Sequence, residues 1–200
     1  MQAELQKRSR QVPVGISVRH IHLTRADVDK LFGYGYQLTP KKALSQPGQF
    51  ACEECLDVIG PKGELKRVRI LGPERSATQI ELAQTDCRTI GVNAPVRSSG
   101  DTKGTPGVTL RGPLGELTVL EGVIVADRHL HMTPAQAAAF GLADGDRVQI
   151  RIDGIKPGIM GGVLVRANSK CALDFHIDTD DGNAFLLRQG QLVTVLGKEE

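Results

Sequence analysis

The chain has 200 residues, of which 40% are hydrophobic and 24% charged, and its net charge is +2. This near-neutral balance does not indicate nucleic-acid binding, and 4% aromatic residues without tryptophan argue against a surface that stacks bases. No run of 18 apolar residues is present, so we expect no membrane-spanning helix, and residues 1–11 are too polar for a signal peptide. We therefore expect a protein of the cytoplasm or of a compartment loaded from it.

Glycine and proline divide the chain into many short segments. The 23 glycines and 10 prolines separate apolar runs in a way that is typical of β-rich folds. We predict a mainly β fold of about ten to twelve short strands and two to four helices, arranged as two small β-barrel domains that are each capped by short α-helices. A polar tail is expected at residues 1–12, and the domains at 13–118 and 119–200, with the active site between them.

The first predicted strand is the apolar, β-branched run of residues 12–18. It leads into His20-Ile21-His22, where alternate residues of an extended chain point to the same side. The two imidazoles then project together while Ile21 faces the core. Two neighbouring imidazoles are half of a typical zinc site, although a single pair is also compatible with a polar surface stripe.

A short helix is predicted over residues 25–32, because Thr24 can cap its amino end and Gly33 can end it. Residues 50–59 and 65–71 then predict a hairpin, with Arg67 and Arg69 together on one face of its second strand.

Four cysteines are present, and the first two form a CxxC pair. Cys52 and Cys55 resemble half of a zinc ribbon whose other half is missing, because Cys87 and Cys171 stand alone. We interpret the pair as packing residues and expect no disulfides in a reducing compartment.

The middle of the chain contains one ambiguous acidic residue. Thr78 and Glu81 have the spacing of a helix capping box, which is one interpretation of Glu81. Residues 93–105 form a soft loop rich in serine, glycine and aspartate. A second hairpin is predicted between 108–110 and 117–125.

The first motif is repeated after this hairpin. His129-Leu130-His131 follows the apolar run 119–125, and a helix is predicted over 134–140, with Thr133 as its cap and Gly141 as its end. Four of the five histidines lie in these two copies, which favours a metal at both. The duplicated unit also suggests two similar halves that face each other across a site.

The fifth histidine, His176, precedes an acidic turn. Alone on an apolar strand it would be typical of a packed histidine, but the four partner histidines favour a ligand. Asp127 can orient an imidazole from outside the metal site. Asp178 and Asp180 are interpreted as solvated loop acids or as further orienting groups.

These motifs together resemble the PduL-type phosphate acyltransferases (phosphotransacylases), notably the phosphate propanoyltransferases of propanediol-using bacteria. The resemblance covers residues 13–197 and rests on RHIHLT at 19–24, RHLHMT at 128–133, GPERSATQIEL at 72–82, GLADGDRV at 141–148 and the DTDDGN block after His176. It implies two β-barrels and the transfer of an acyl group between coenzyme A and inorganic phosphate. Members associated with bacterial microcompartments often carry an amino-terminal targeting helix, which residues 1–11 are too short and polar to show. Shell or lumen proteins of such a compartment, and a homodimer or higher homo-oligomer, are the expected protein partners.

The resemblance also implies residue roles. It assigns one zinc ion to His20, His22 and Glu81 and a second to His129, His131 and His176, which leaves a position on each ion for substrate or solvent. It makes Arg75 the catalytic, phosphate-binding arginine, a role that suits a guanidinium beside a dianion. Coenzyme A contacts map to Ser17, Lys42, Arg69, Leu71, His176 and Asn183. Without the resemblance, Lys42 and Arg69 are equally compatible with solvated surface charges, and Arg75 with an ion pair to Glu74 or Glu81.

Three functions remain open at this stage. The first is an acyltransferase that acts by direct transfer, because we find no Ser-His or Cys-His nucleophile pattern, with Cys87 and Cys171 as the residues that could overturn this. The second is a two-zinc hydrolase of esters or phosphates that does not need coenzyme A. The third is a non-catalytic module in which zinc is structural, for which Cys52 and Cys55 are the expected additional ligands.

Overall fold

The computed structural model describes residues 10–199, so most of the tail predicted for residues 1–12 lies outside the described part. The chain divides into two compact units, and neither is continuous in sequence. We name them the barrel unit, with described residues 10–17, 45–47 and 127–199, and the sheet unit, with Val18–Leu44 and Gly48–Ala126.

Residues 10–199 contain fifteen strands and four short helices, which confirms the mainly β fold class. In chain order the strands are β1 Gln11–Ser17, β2 His20–His22, β3 Pro40–Ala43, β4 Phe50–Ile59, β5 Glu64–Gly72, β6 Gln79–Glu81, β7 Val96–Arg97, β8 Val108–Gly112, β9 Gly115–Val119, β10 Val123–Ala126, β11 His129–Met132, β12 Arg147–Ile152, β13 Gly158–Ala167, β14 Asp174–Asp178 and β15 Leu192–Lys198. The helices are α1 Arg25–Phe32, α2 Gln84–Ile90, α3 Pro134–Ala139 and α4 Thr179–Ala184.

The barrel unit is a closed barrel of six strands in the order β1, β14, β11, β13, β12, β15. Strand β1 closes it, because it pairs in parallel with β14 and antiparallel with β15. Val12 and Val14, two residues apart on β1, are fully buried and pack in a core that includes Leu130 and Phe175. The first strand of the described residues is therefore part of a barrel whose other strands all lie after residue 128.

The sheet unit contains nine strands in one curled, open sheet. Eight of them run in the order β7, β10, β6, β2, β5, β4, β8, β9, and β3 pairs with β4. Its core includes the fully buried Ile21, Ile70, Ile80 and Leu110. The short strand β2 lies between β5 and β6, so both of its edges are paired.

The two predicted capped helices are confirmed. The hydroxyl of Thr24 accepts a hydrogen bond from the amide of Asp27 at the start of α1. At α3, Thr133 and Gln136 form a reciprocal capping box. None of the helices between residues 10 and 199 is long and apolar enough to span a membrane.

Two predicted strands are interrupted where the chain changes unit or direction. The run 12–18 does not continue into the first histidine pair: β1 belongs to the barrel unit, Val18 is 59% exposed, and β2 belongs to the sheet unit. Likewise, the predicted strand 117–125 breaks into β9 and β10, because β10 pairs with β6 and β7 and not with β8. Local composition favours extended chain at these places but does not specify its partner.

Candidate functional site

Three side chains that the sequence predicted as zinc ligands meet in the sheet unit. Strand β2 pairs antiparallel with β6, which places His20 directly opposite Glu81. The Nε2 atom of His20 lies 3.4 Å from Glu81 Oε2, and Nε2 of His22 lies 3.9 Å from Glu81 Oε1. All three residues are buried, and one donor atom from each lies within 4.8 Å of the others. We name this group the sheet cluster.

Main-chain carbonyls fix the ring nitrogens of the sheet cluster. His20 Nδ1 lies 2.9 Å from the carbonyl oxygen of Val18, and His22 Nδ1 lies 3.2 Å from that of Leu71. A carbonyl can only accept, so each Nδ1 carries the proton and donates it. In the neutral rings, Nε2 then has a lone pair directed toward Glu81, which is the form of histidine that binds a metal ion.

The charges of the sheet cluster also suit a cation. Burial, together with the positive charges of His20 and Arg75, lowers the pKa of His22 to about 3. Burial alone would raise the pKa of Glu81, but the charge and hydrogen bond of His20 hold it well below its ordinary value. Burial opposes protonation of His20, yet Glu81 raises its pKa overall. The cluster thus contains a buried, ionised Glu81 carboxylate beside two imidazoles. His22 is neutral, whereas the charge of Glu81 favours the protonated form of His20.

Glu81 does not cap a helix, so that interpretation was wrong. Its segment is strand β6. The hydroxyl of Thr78 contacts Asp27 instead and accepts the backbone N–H of Thr24. Glu81 Oε1 receives hydrogen bonds from Ser99 and from Gln79.

The second predicted ligand set meets in the barrel unit. Strand β11 pairs antiparallel with β14, and His129 lies opposite His176. The ring centroid of His131 lies 4.6 Å from that of His129 and 4.9 Å from that of His176, and the centroids of His129 and His176 are 5.3 Å apart. One donor atom from each residue lies within 4.8 Å of the others. We name this group the barrel cluster.

Two ring nitrogens face each other in the barrel cluster. His129 Nδ1 donates to the carbonyl of Asp127 at 2.7 Å, while the Nε2 atoms of His129 and His131 are only 3.0 Å apart. His131 Nδ1 lies 3.4 Å from the sulfur of Cys171. The thiol can donate to Nδ1 of His131 or accept from it, so His131 Nε2 either donates to His129 Nε2 or, like it, carries a lone pair that can bind a cation. Burial and the neighbouring imidazoles lower the pKa of His131 to about 3, which keeps the ring neutral, as a metal ligand must be.

His176 is held by groups that the sequence analysis did not identify. Its Nε2 atom lies 2.9 Å from a carboxylate oxygen of Asp174, which is 3% exposed. Gly15 lies opposite His176 on β1, and a Cβ atom built on Gly15 would come within 2.5 Å of the His176 ring. A buried carboxylate partner of this kind orients a metal-binding imidazole and increases its basicity.

The acidic residues that were predicted to orient an imidazole have other contacts. The carboxylate of Asp127 pairs with Arg147 at 2.7 Å, and its backbone carbonyl holds His129 instead. Asp178 caps helix α4 by accepting the N–H of Asp181. Asp174, two residues before His176 on the same strand face, could have been found from that spacing.

The predicted substrate-binding residues divide between the two units. In the sheet unit, Arg75 Nη1 donates to Ser99 Oγ at 3.1 Å. Arg69 and Leu71 lie on β5, beside β2, and Lys42 lies exposed on β3. Arg69 Nη1 donates to the backbone carbonyls of Cys52 and Glu53.

The remaining predicted contacts lie in the barrel unit. Ser17 ends β1 opposite Asp178, and His176 lies on β14. Asn183 lies exposed on α4. Ser17 and His176 therefore lie on paired strands, and Asn183 follows in the helix that continues β14.

The cysteines do not complete either cluster. Cys52 faces the core of the sheet unit and is fully buried, whereas Cys55 projects from the opposite face of β4. Burial raises the pKa of Cys52 to about 12. Within residues 10–199 no cysteine forms a disulfide, and the potential metal groups contain only histidine and glutamate. Cys52 is therefore a packing residue of the sheet unit, whereas Cys55 lies outside that core.

The chain is similar to known proteins over most of its length. A sequence profile for phosphate propanoyltransferase matches residues 13–188. A phosphate propanoyltransferase of Thermotoga maritima is 46% identical over 96% of the chain and 92% of its own length. Phosphate propanoyltransferases of Citrobacter koseri and Salmonella typhimurium are 49% and 48% identical, each over 88% of the chain and 84% of their own length.

Proposed function

Because the chain belongs to the phosphate propanoyltransferase family, we propose that it transfers a propanoyl group reversibly between coenzyme A and inorganic phosphate with the help of two zinc ions per chain. Family membership supports the acyltransferase chemistry. The observation that carries the metal part of the proposal is the pair of three-donor clusters.

The donor sets fit zinc. Each cluster offers three ligands of the kind that catalytic zinc sites use, two or three imidazoles with at most one carboxylate. The Nε2 atoms of His129 and His131 are close enough together to bind one cation, and a cation also stabilises the ionised, buried Glu81. Five imidazoles among the six donors do not suit magnesium or calcium, which prefer oxygen ligands. When bound, zinc supplies concentrated positive charge and a Lewis acid for phosphate and carbonyl oxygens.

Arg75 binds the phosphate. Its guanidinium presents several N–H donors in a fixed plane, which matches a tetrahedral dianion, and Ser99 holds its Nη1 atom. Fixing the phosphate in this way leaves one oxygen to approach the thioester, so that much of the entropic cost of the reaction is met on binding.

The reaction then proceeds by direct transfer. A phosphate oxygen adds to the thioester carbonyl carbon, and the carbon–sulfur bond breaks with its electron pair going to sulfur. The coenzyme A thiolate takes up the proton that hydrogen phosphate releases, which leaves propanoyl phosphate and coenzyme A. Cys171 is the cysteine closest to a candidate ligand, 3.4 Å from His131, but burial raises the pKa of its thiol, which makes it a poor nucleophile.

Coenzyme A is held at its charged end by basic and polar side chains. Lys42 is exposed, as a residue that meets the phosphates of coenzyme A must be, and Arg69 is fixed by two carbonyls. Ser17, Leu71, His176 and Asn183 complete the proposed contacts. Acetyl-CoA is an expected second substrate, because a site that holds a propanoyl chain also admits one that is shorter by one methylene, at a cost of roughly 1–3 kcal/mol.

The test is release of free thiol from propanoyl-CoA, with and without phosphate, with zinc content measured on the same sample. We expect phosphate-dependent release that is lost on chelation. Arg75→Ala should lower kcat/KM by at least ~100-fold, because it removes a charged contact to the phosphate. Arg111→Ala is the matched control, since this exposed arginine pairs with Glu64 and Glu116 in the same unit.

Other outcomes point elsewhere. Thiol release without phosphate would indicate a hydrolase. Bound zinc with no release from any acyl-CoA would leave a structural-zinc module. Loss of activity in Cys171→Ala, together with ping-pong kinetics, would replace direct transfer by a covalent acyl-enzyme.

A further inference from the structure

One serine connects the proposed phosphate-binding arginine to the sheet cluster. Ser99 lies in the loop of residues 98–105, between β7 and β8. Its Oγ atom is 2.7 Å from Glu81 Oε1, 2.9 Å from Gln79 Nε2 and 3.1 Å from Arg75 Nη1. The serine hydroxyl thus contacts all three side chains.

The chemistry of these partners determines where the hydroxyl proton lies. A hydroxyl has one hydrogen to donate and two lone pairs to accept with. Arg75 and the amide nitrogen of Gln79 can only donate, so they fill the two lone pairs. The single hydrogen must therefore go to Glu81, and the hydrogen-bonding capacity of Ser99 is fully used.

Gln79 closes the network from the other side. It is 2% exposed, and its Nε2 also donates to Glu81 Oε1 at 2.5 Å. Its Oε1 accepts the backbone N–H of Gly100 at 2.7 Å, which determines the orientation of the amide. Gln79 thereby holds the main chain directly after Ser99, so the position of the hydroxyl does not depend on a free loop.

The consequence for Glu81 is that its two oxygens differ. Oε1 accepts from both Ser99 and Gln79 and lies 3.9 Å from His22 Nε2, whereas Oε2 lies closer to a ring nitrogen, 3.4 Å from His20 Nε2. Oε2 is then the oxygen left for a metal ion. A carboxylate that binds through one oxygen takes a single coordination position, which leaves room on the ion for substrate.

We propose that Ser99 is a positioning residue that holds Glu81 in the orientation that binds zinc and at the same time holds the Arg75 guanidinium for phosphate. This inference rests on the proposed function. It predicts that loss of one hydroxyl affects two properties, zinc affinity and the use of phosphate, while the binding of acyl-CoA is unaffected.

The test compares Ser99→Ala with Ser98→Ala. Ser98 is the preceding residue on the same loop, and its contribution there is a backbone carbonyl that accepts the N–H of Asp101, which the substitution keeps. Zinc affinity of each metal-depleted protein is measured by competition with a coloured chelator. Steady-state kinetics then give separate KM values for phosphate and for propanoyl-CoA.

For Ser99→Ala we expect zinc to bind roughly 10- to 100-fold more weakly at one site, as is typical when a group that orients a metal ligand is lost. The phosphate KM should rise by at least about 10-fold, with the propanoyl-CoA KM within twofold of that of the unchanged protein. Ser99→Thr, which keeps the hydroxyl, should recover most of both losses, and Ser98→Ala should show neither.

The proposal is overturned if Ser99→Ala matches Ser98→Ala in zinc affinity and phosphate KM, even when its melting temperature is lower, because that pattern shows a purely structural serine. It is also overturned if Ser99→Thr is as defective as Ser99→Ala. Failure of the proposed function is separate, since it would show in the unchanged protein as absence of zinc or of phosphate-dependent thiol release.

Discussion

Main-chain carbonyls, and not charged side chains, orient most of the histidines at the two clusters. The carbonyls of Val18, Leu71 and Asp127 each accept one Nδ1–H. A carbonyl cannot change its protonation state, so these rings keep the same tautomer over a wide pH range. His176 differs, because it relies on the Asp174 carboxylate and on the close approach of β1 at Gly15.

Gly15→Ala is predicted to damage the barrel cluster alone. The added methyl would lie 2.5 Å from His176 Cδ2 and 2.9 Å from Asp174 Oδ1, so the imidazole has to move. We expect about one fewer zinc ion per chain and loss of thiol release, because three correctly placed ligands are needed to retain the metal. Metal analysis of the purified protein gives the readout.

Gly182→Ala is the control for that experiment. Gly182 is a helical residue of the same unit, and its nearest contact would be the flexible end of Ile16 at 3.3 Å. This variant should keep its zinc. Full zinc content in Gly15→Ala would show that the packing of β1 against His176 does not position the ligand.

At the residue scale, the sequence predicted the six proposed ligands but not what holds them. Four of the ligands lie in a repeated motif, and the family resemblance added Glu81 and His176, whereas Ser99 lies in a loop whose composition is typical of solvated turns. Gln79 could have been suspected, because it lies two residues before Glu81 on the same face of β6. The roles of Gly15 and Ser99 depend on contacts with residues far away in the sequence, and no local pattern reveals those.

Strand β4 carries one acidic side chain into the interior of the sheet unit. Alternate residues Cys52, Glu54, Leu56 and Val58 are buried on one face. Glu54 accepts the hydroxyl of Tyr36 at 3.0 Å and the N–H of Thr39 at 3.1 Å. It thereby fixes the segment that leads into β3.

Glu54→Gln is predicted to lower stability at neutral pH. Burial alone would raise the pKa of Glu54, but hydrogen bonds from the backbone, Thr39 and Tyr36 hold it below the ordinary 4.5. The unfolded chain therefore takes up the proton first as the pH falls. The stabilisation is complete above about pH 4.5 and is lost as the pH falls through the lower pKa of the folded protein. We expect a cost of about 1–2 kcal/mol at pH 7.

Urea unfolding at pH 7 and at progressively lower pH measures this difference. The difference in the free energy of unfolding between Glu54→Gln and the unchanged protein should become smaller below pH 4.5. Glu53→Gln is the neighbouring control, because Glu53 lies on the exposed face and pairs only with Lys41 at the surface. A difference in the free energy of unfolding that stays constant with pH would mean that the charge of Glu54 does not contribute to stability.

Elements were predictable where their signals are local. The amino ends of α1 and α3 follow from Thr24 and Thr133, because an N-cap side chain bonds to backbone amides within four residues. The prediction that Arg67 and Arg69 share one face agrees with β5, where Val68 and Ile70 are buried and the two arginines are not. The alternation breaks just before Arg67, which adopts a positive φ of 53°. Asp57 accepts the N–H of Arg67 from the neighbouring strand, a contact that local composition does not indicate.

At the scale of the molecule, the barrel unit is assembled from distant parts of the chain. Strand β1 comes from the amino end and lies between β14 and β15. Val14 is opposite Phe175 and Val12 is opposite Val193. The internal repeat indicated two comparable halves, but pairing over such separations has no local signature, so the exchange of β1 was not predictable.

A fragment of residues 127–200 is therefore predicted not to fold alone. Without β1 the edges of β14 and β15 are unpaired, and Phe175 loses its packing against Val12 and Val14. Circular dichroism and amide NMR of the fragment should show an unfolded chain. A synthetic peptide of residues 10–17 in excess should restore strand signals by adding the missing strand, and a peptide with Val12 and Val14 changed to Asp should not. Dispersed amide signals from the fragment alone would contradict this.

The place of β1 in the barrel also has a consequence for biosynthesis. The ribosome releases β1 before the other fourteen strands of residues 10–199, whereas β14 and β15, its two partners, are the last of these strands to emerge. At about 5–20 residues per second, the nascent chain carries an unpaired β1 for roughly 10 to 30 s. During that interval the apolar side chains of Val12 and Val14 are exposed to solvent, because their core has not formed. We therefore expect β1 to be a binding site for chaperones on the growing chain.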